Sequence, residues 1–293
     1  MRIWCVTKSY RRFFQDYKMR KINFTKMVAS GNDFVVIESS PRSPVPGPRF
    51  LAKEICDRKF GIGADGLLVL EKSKVADIKM RIFNADGSEA QMCGNGARCV
   101  ALYTSHKVTR SGGHKLNIET KAGIIGAEIN QDKIKIKLTD PKHIKLGIPI
   151  KINNRILMGN FINTGVPHTV VFVEGLKEID VFNLGRQIRH HQRFKPAGTN
   201  VNFIEILTDN SFKIRTYERG VEDETLACGT GSVASAIIAA GVLGYRGGGA
   251  QNISAHTQSG EILEVYFNSN HNIISDVWLA GKAKMVYKGE IYV

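Results

Sequence analysis

EAQMCGNGAR, residues 89–98, and ETLACGTGSV, residues 224–233, are two versions of one decapeptide, 135 residues apart. Each places a glutamate four residues before Cys-Gly-x-Gly, and each runs on into the small and apolar residues of a helix. The same offset carries Val35-Val36-Ile37 onto Val170-Val171-Phe172, each just after a Gly-containing loop, and Asn84 onto Arg219. Three landmarks in register point to a chain built from two similar halves, with a boundary near Asp140-Pro141.

Short strands dominate outward from these motifs. Phe34 to Ile37, Leu67 to Leu70, Ile78 to Phe83, Ile134 to Leu138, Thr169 to Val173 and Phe203 to Leu207 have the length and β-branched content of strands. Helices are expected over Phe50 to Cys56, Cys93 to Tyr103 and Cys228 to Ala240, and Pro41, Pro44, Pro46 and Pro48 mark a surface loop. The Ala-rich stretch from Val233 to Leu243 is broken by Ser235 and Gly241. It reads as a buried helix, and no apolar run reaches the ~18 residues that span a bilayer.

The 293 residues carry a formal net charge of +14, from 41 Lys and Arg against 27 Asp and Glu. The cations are scattered: Lys133, Lys135 and Lys137 alternate with Ile134, Ile136 and Leu138, as on the solvated face of a strand. A basic surface, with no nucleic acid and no membrane as partner, is therefore the reading. Residues 1–20 hold six Arg and Lys against Asp16, with Val6, Tyr10, Phe13, Phe14 and Tyr17 near helical spacing. A targeting segment, a surface-lying helix and an over-extended start all fit them. Five cysteines (5, 56, 93, 99 and 228) form no disulfide framework, which fits a reducing compartment. Cys5, Cys56 and Cys99 read as packing residues, and no Cys/His set has metal-ligand spacing.

Cys93 and Cys228 each sit where a glycine-rich turn enters a helix. Free N–H groups and the helix dipole favour negative charge there, so the thiol is expected to be acidified. The N–H groups that follow, at Gly94-Asn95 and Gly229-Thr230, suit a carboxylate. If the halves pack about a pseudo-twofold axis, a substrate carboxylate held by both helix starts has its α-carbon between two sulfurs. One thiolate then removes the α-proton while the opposing thiol protonates the other face, inverting the centre without a cofactor.

The segments Phe83-Asn84-Ala85-Asp86-Gly87-Ser88-Glu89, Met92 to Arg98 and Ala227 to Gly231 resemble motifs of the diaminopimelate epimerase family. So do Gly31-Asn32-Asp33-Phe34, Gly61 to Gly66, Gly165-Val166-Pro167-His168 and Tyr217-Glu218-Arg219-Gly220, in family order from Ile22 to the C-terminus. The resemblance implies interconversion of L,L- and meso-diaminopimelate, on the route to lysine and, in bacteria, peptidoglycan, by a cytoplasmic homodimer that needs no cofactor and no metal. It implies an α+β fold of two pseudo-symmetric halves, each a curved, mostly antiparallel sheet wrapped around a central helix. The expected division is an extension (1–20), a first half (21–141 plus the returning 282–293) and a second half (142–281). By position, Cys93 and Cys228 match the catalytic pair, and His168 and Glu218 the residues that adjust their pKa values. Asn32, Asn84, Gly94, Asn95, Asn200, Glu218, Arg219, Gly229 and Thr230 match substrate-binding positions.

Arg219 suits a carboxylate as a fork of fixed donors, and Glu218 suits an ammonium. Taken singly, Asn32, Asn84 and Asn200 would read as turn residues, and His168 as a satisfied loop histidine. The chain departs from the family pattern at Val166, where many relatives have Asn, and at Gly66, where some have Gln. A proline or hydroxyproline racemase is the nearest enzymatic alternative, but such proteins typically have His where this chain has Asn95. A non-catalytic amino-acid-binding or thiol-sensing protein on the same scaffold is the alternative from another class.

Overall fold

The computed structural model describes residues 20–41, 44–107, 114–242, 249–270 and 273–293. The first half runs β1 (Lys21–Ala29), β2 (Asn32–Glu38), α1 (Pro48–Ile55), β3 (Gly66–Glu71), β4 (Ile78–Asn84), β5 (Glu89–Ala90), α2 (Gly94–Ser105), β6 (His114–Thr120), β7 (Gly123–Asn130) and β8 (Lys133–Lys137). After β9 (Lys142–Ile152) the same order recurs. It comprises β10 (Arg155–Asn163), β11 (Pro167–Phe172), α3 (Val181–Arg189), β12 (Asn200–Thr208), β13 (Ser211–Glu218), β14 (Asp223–Thr225), α4 (Gly229–Val242), β15 (Gly249–His256), β16 (Ile262–Asn270) and β17 (Ile273–Lys282). A last strand, β18 (Lys284–Tyr292), pairs with β1 as β9 pairs with β10.

The hydrogen-bonded order is therefore a palindrome in which β8 and β17 join the halves. The parallel pairs β2–β3 and β4–β6 recur as β11–β12 and β13–β15, and the other pairs are antiparallel. Even the register repeats: Phe34 faces Gly66 in one half, and His168 faces Asn200 in the other.

Both faces of the central strands are covered, which explains their continuous apolar runs. Val36, Leu68 and Ile82 face the inner core around α2 and α4, whereas Val35, Leu67 and Phe83 face a second core around α1. The matching outer core of the second half surrounds α3. α4 is buried from Gly231 to Ala240, so its sequence is apolar on every side. In β8, Ile134 and Ile136 are buried while Lys135 lies over the rings of Tyr266 and Trp278, at 4.5 and 4.9 Å.

The six strands and three helices marked in the sequence are all present, and Cys56 and Cys99 are buried as packing residues. Pro48 differs from the loop reading, because it opens α1 after Gly47, where its fixed φ suits a first helical turn. The basic segment 1–19, including Cys5, lies outside the described residues. No helix among the described residues is long and apolar enough to cross a membrane.

α3 was not marked by the sequence, because Gly185 in its centre lowers helix propensity. The glycine is required by packing: a Cβ there would meet Tyr217 Cγ at 2.8 Å. Gly185→Ala should therefore destabilise the protein by about 1–3 kcal/mol despite its better helix propensity, measured by denaturant unfolding. Stabilisation instead would show that α3 does not pack as described.

Candidate active site

The two Cys-Gly motifs open α2 and α4, and these helices meet at their starts. Cys93 is the N-cap of α2 in an extended conformation, and the Gly96 N–H lies 3.5 Å from its Sγ. The Cys228 carbonyl accepts the Ser232 N–H at 2.9 Å, as the Cys93 carbonyl accepts that of Ala97. A Cβ placed on Gly229 would lie 4.0 Å from Asn95 Oδ1, so the two helix starts face each other across the join between halves. The N–H groups of Gly94, Asn95, Gly229 and Thr230 precede each helix's own hydrogen-bond ladder, where an anion can be bound, and that of Asn95 faces the Cys93 sulfur.

The thiols are not acidified, contrary to the expectation from helix position alone. Burial raises Cys93, against the N–H groups of Gly96 and Asn95 and the charge of Arg98, which favour the thiolate. Burial followed by the negative charge of Glu218 pushes Cys228 up to about 12, against the Thr230 hydroxyl and the Gly231 N–H. Desolvation outweighs the helix terminus at both sulfurs. Each cysteine is close enough to Glu218 to feel its charge, and Cys228 also feels Cys93. Burial raises Glu218 itself, and the Thr225 hydroxyl donates to its Oε2 at 3.0 Å.

On the Cys93 side, Asn95 Nδ2 donates to Asn32 Oδ1 at 2.6 Å, and Asn32 Nδ2 donates to Asp65 Oδ2 at 3.0 Å. Asn95 Oδ1 accepts from Arg98 Nη2 at 2.7 Å. The sequence reading gave Arg98 no role. Its guanidinium is fully buried, also bonds Ser30, and leaves Nε and Nη1 without partners among the described residues.

On the Cys228 side, His168 Nε2 lies 3.0 Å from Thr230 Oγ1, which in turn lies 3.5 Å from Cys228 Sγ. Asn202 Nδ2 lies 3.1 Å from His168 Nδ1. Asn202 was also missed, since an asparagine in a strand carries no sign that its partners are buried. Asn200 Oδ1 accepts the Arg219 N–H at 2.8 Å and its Nδ2 donates to the Pro167 carbonyl at 3.0 Å, fixing the approach of both segments.

Asn84 is exposed at the end of β4, with its Nδ2 donating to Ser88 Oγ at 2.9 Å. A side chain at Gly66, opposite Asn84 in the ladder, would approach the Phe83 carbonyl to 2.9 Å. Val166 is half-buried in the turn before β11, where its carbonyl accepts from Thr164. Among the described residues no group of three or more His, Cys, Asp or Glu is placed to hold a metal ion. A separate groove of about 890 Å³, lined in part by Phe24, Tyr103 and Lys288, contains none of these site residues.

The family model for diaminopimelate epimerase matches residues 24–144 and 160–286. A diaminopimelate epimerase of Methanocella arvoryzae is 42% identical over 287 residues, covering 93% of this chain and 98% of the relative. One of Aquifex aeolicus is 39% identical, covering 92% and 98%. Among solved structures, a Bacillus anthracis phenazine biosynthesis protein of the PhzF family superposes with a TM-score of 0.72 at 18% identity, covering 94% of this chain and all of that one. A hydroxyproline epimerase from Agrobacterium vitis gives 0.67 at 15% identity, covering 94% of each. These two likenesses establish a shared fold. The chain belongs to the diaminopimelate epimerase family.

Burial, followed by the charge of Arg219, lowers His168 to about 3, so its imidazole is neutral in the folded protein. An unfolded chain takes up this proton near the ordinary value of 6.5, so the unfolded state binds more protons between the two values. The contribution is fully present above about 6.5 and lost as the pH falls towards 3. His168→Gln should lose about 2 kcal/mol less than the parent protein between pH 7 and pH 5 in chemical denaturation. Equal losses would show that His168 is not held neutral.

Proposed function

We propose that the chain interconverts L,L- and meso-diaminopimelate by two-base proton transfer between Cys93 and Cys228. The observation that carries this reading is the meeting of two cysteine-headed, half-buried helix starts at the join of duplicated halves. Family membership supplies the substrate class.

In this reading the Gly94, Asn95, Gly229 and Thr230 N–H groups hold the carboxylate of the reacting centre. One thiolate removes the α-proton and becomes a thiol, and the electron pair left on the α-carbon is stabilised through that carboxylate. The opposing thiol then gives its proton to the other face and becomes the thiolate. No net proton is consumed. The thiolate form is favoured by the N–H groups at each helix start, against the burial that raises both sulfurs. Glu218 serves the α-ammonium, and Arg219, Asn32, Asn84 and Asn200 recognise the charged and polar groups of the substrate.

The division into 21–141 plus 282–293 and 142–281 is part of the same proposal, with β18 supplying the returning strand. So are a homodimeric, cytoplasmic protein and a reaction that needs no pyridoxal phosphate.

Cys93→Ala and Cys228→Ala, each checked for folding, should lower turnover of L,L-diaminopimelate by about 10²–10⁴-fold or more. The parent protein should leave proline and trans-4-hydroxy-L-proline unchanged. Near-normal turnover by either single variant would overturn the two-base reading, and turnover of proline would reassign the substrate.

A further inference from the structure

The duplicated sheet provides an internal comparison of what lies beneath each cysteine. In the second half, Thr216 faces Asn202 across the β12–β13 ladder, and its hydroxyl donates to Asn202 Oδ1 at 3.0 Å. Asn202 reaches His168, His168 reaches Thr230, and Thr230 reaches Cys228, at the distances given above. In the first half the positions 134 residues earlier are Ile82, Leu68 and Phe34. Leu68 and Ile82 face each other in the same register, and all six residues are buried. The two Cys-Gly-x-Gly motifs thus rest on different floors. A Cβ at Gly96 would approach Leu68 at 3.1 Å and Ile82 at 3.6 Å, whereas one at Gly231 would collide with Asn202 Oδ1.

The chain of polar groups has a direction. With Thr216 donating to Oδ1, the amide presents its Nδ2–H to His168 Nδ1, so that nitrogen is the acceptor. The single proton of a neutral imidazole then sits on Nε2 and is donated to Thr230 Oγ1. Thr230 already accepts from the histidine, so its own proton is free to point at Cys228 Sγ. The opposite tautomer reverses this: an unprotonated Nε2 would draw the Thr230 proton away from the sulfur. Among the described residues no such chain reaches Cys93, whose polar neighbours are the Gly96 and Asn95 N–H groups and the charges of Arg98 and Glu218.

We propose that Asn202, oriented by Thr216, is a positioning residue that locks His168 in its Nε2–H tautomer and so aims the Thr230 hydroxyl at Cys228, a device the Cys93 half lacks. The two cysteines are then unequal by construction, with Cys228 alone stabilised as thiolate through a tautomer-dependent donor. Glu218 and Arg219, the charged groups that face this cluster, are untouched by the changes proposed below. The inference assigns a role within the epimerase reading, but its test needs no turnover.

Nitrogen-15 NMR of the histidine-labelled intact protein reads the tautomer directly, through the signal lost in His168→Gln. An unprotonated Nδ1 with a protonated Nε2 is expected, and the reverse would overturn the proposal. Methyl methanethiosulfonate modification at neutral pH, followed separately at Cys93 and Cys228 by peptide mass spectrometry, reads the consequence. Asn202→Leu, which installs the first half's residue, should slow Cys228 about tenfold, equivalent to one pKa unit, and leave Cys93 within about twofold. Thr216→Val, which removes only the orienting hydroxyl, should slow Cys228 less, by about threefold. Equal effects on both cysteines, or none, would contradict the assignment. Should Asn202→Leu fail to fold, Thr216→Val and the tautomer of the parent protein still decide it. Because neither readout involves diaminopimelate, a failed epimerase assay and a failed tautomer lock are separate results.

Discussion

The structure depends on one constraint: two helix starts, each headed by a cysteine, must meet half-buried at one join, with their leading N–H groups outside the helix ladders. A helix terminus withdrawn from water without partners is costly, and this fold half-buries two at one place. The sheet is organised to permit it. Each half wraps its strands around one apolar helix, and the β8–β17 pairing sets the halves so that α2 and α4 begin at the same join. The glycines following each cysteine let neighbouring groups approach; at Gly229 a Cβ would press on Leu279 at 2.9 Å.

Burial also sets the chemistry. A helix start stabilises a thiolate, but removing sulfur from water disfavours it more, and both cysteines sit above their ordinary values. The same dry setting keeps His168 neutral and raises Glu218. Polar groups are therefore arranged in hydrogen-bonded chains. Arg98, Asn95, Asn32 and Asp65 form one on the Cys93 side, while Thr216, Asn202, His168 and Thr230 form the other. The backbone is duplicated, but the groups that support each sulfur are not.

Much of this was legible in the sequence, and what was not has physical reasons. The repeated Cys-Gly-x-Gly decapeptide disclosed the duplication, and the runs at Phe34 and Leu67 disclosed strands. Strands such as β15 and β16 mix Gln, Asn and Glu with apolar residues, because only one of their faces meets the core, and they went unmarked. α3 hid behind a glycine whose reason is Tyr217, distant in sequence. Cys93, Cys228, Asn95, His168 and Glu218 were picked out by motif, but Arg98 and Asn202 were not, since a buried polar residue is recognised only once its partners are placed. The direction of the thiol shifts was misjudged for the same reason: helix position can be read locally, and desolvation cannot.

The central claim, that one α-carbon is worked from both faces by two sulfurs, is tested most directly by isotope incorporation. Reduced, folded protein is incubated with L,L-diaminopimelate in deuterated water, and stereoisomers and label are analysed at early conversion. The account predicts that newly formed meso-diaminopimelate carries deuterium at the inverted centre. Absence of both exchange and meso product, or meso product that retains the substrate's own α-hydrogen at every solvent composition, would contradict it.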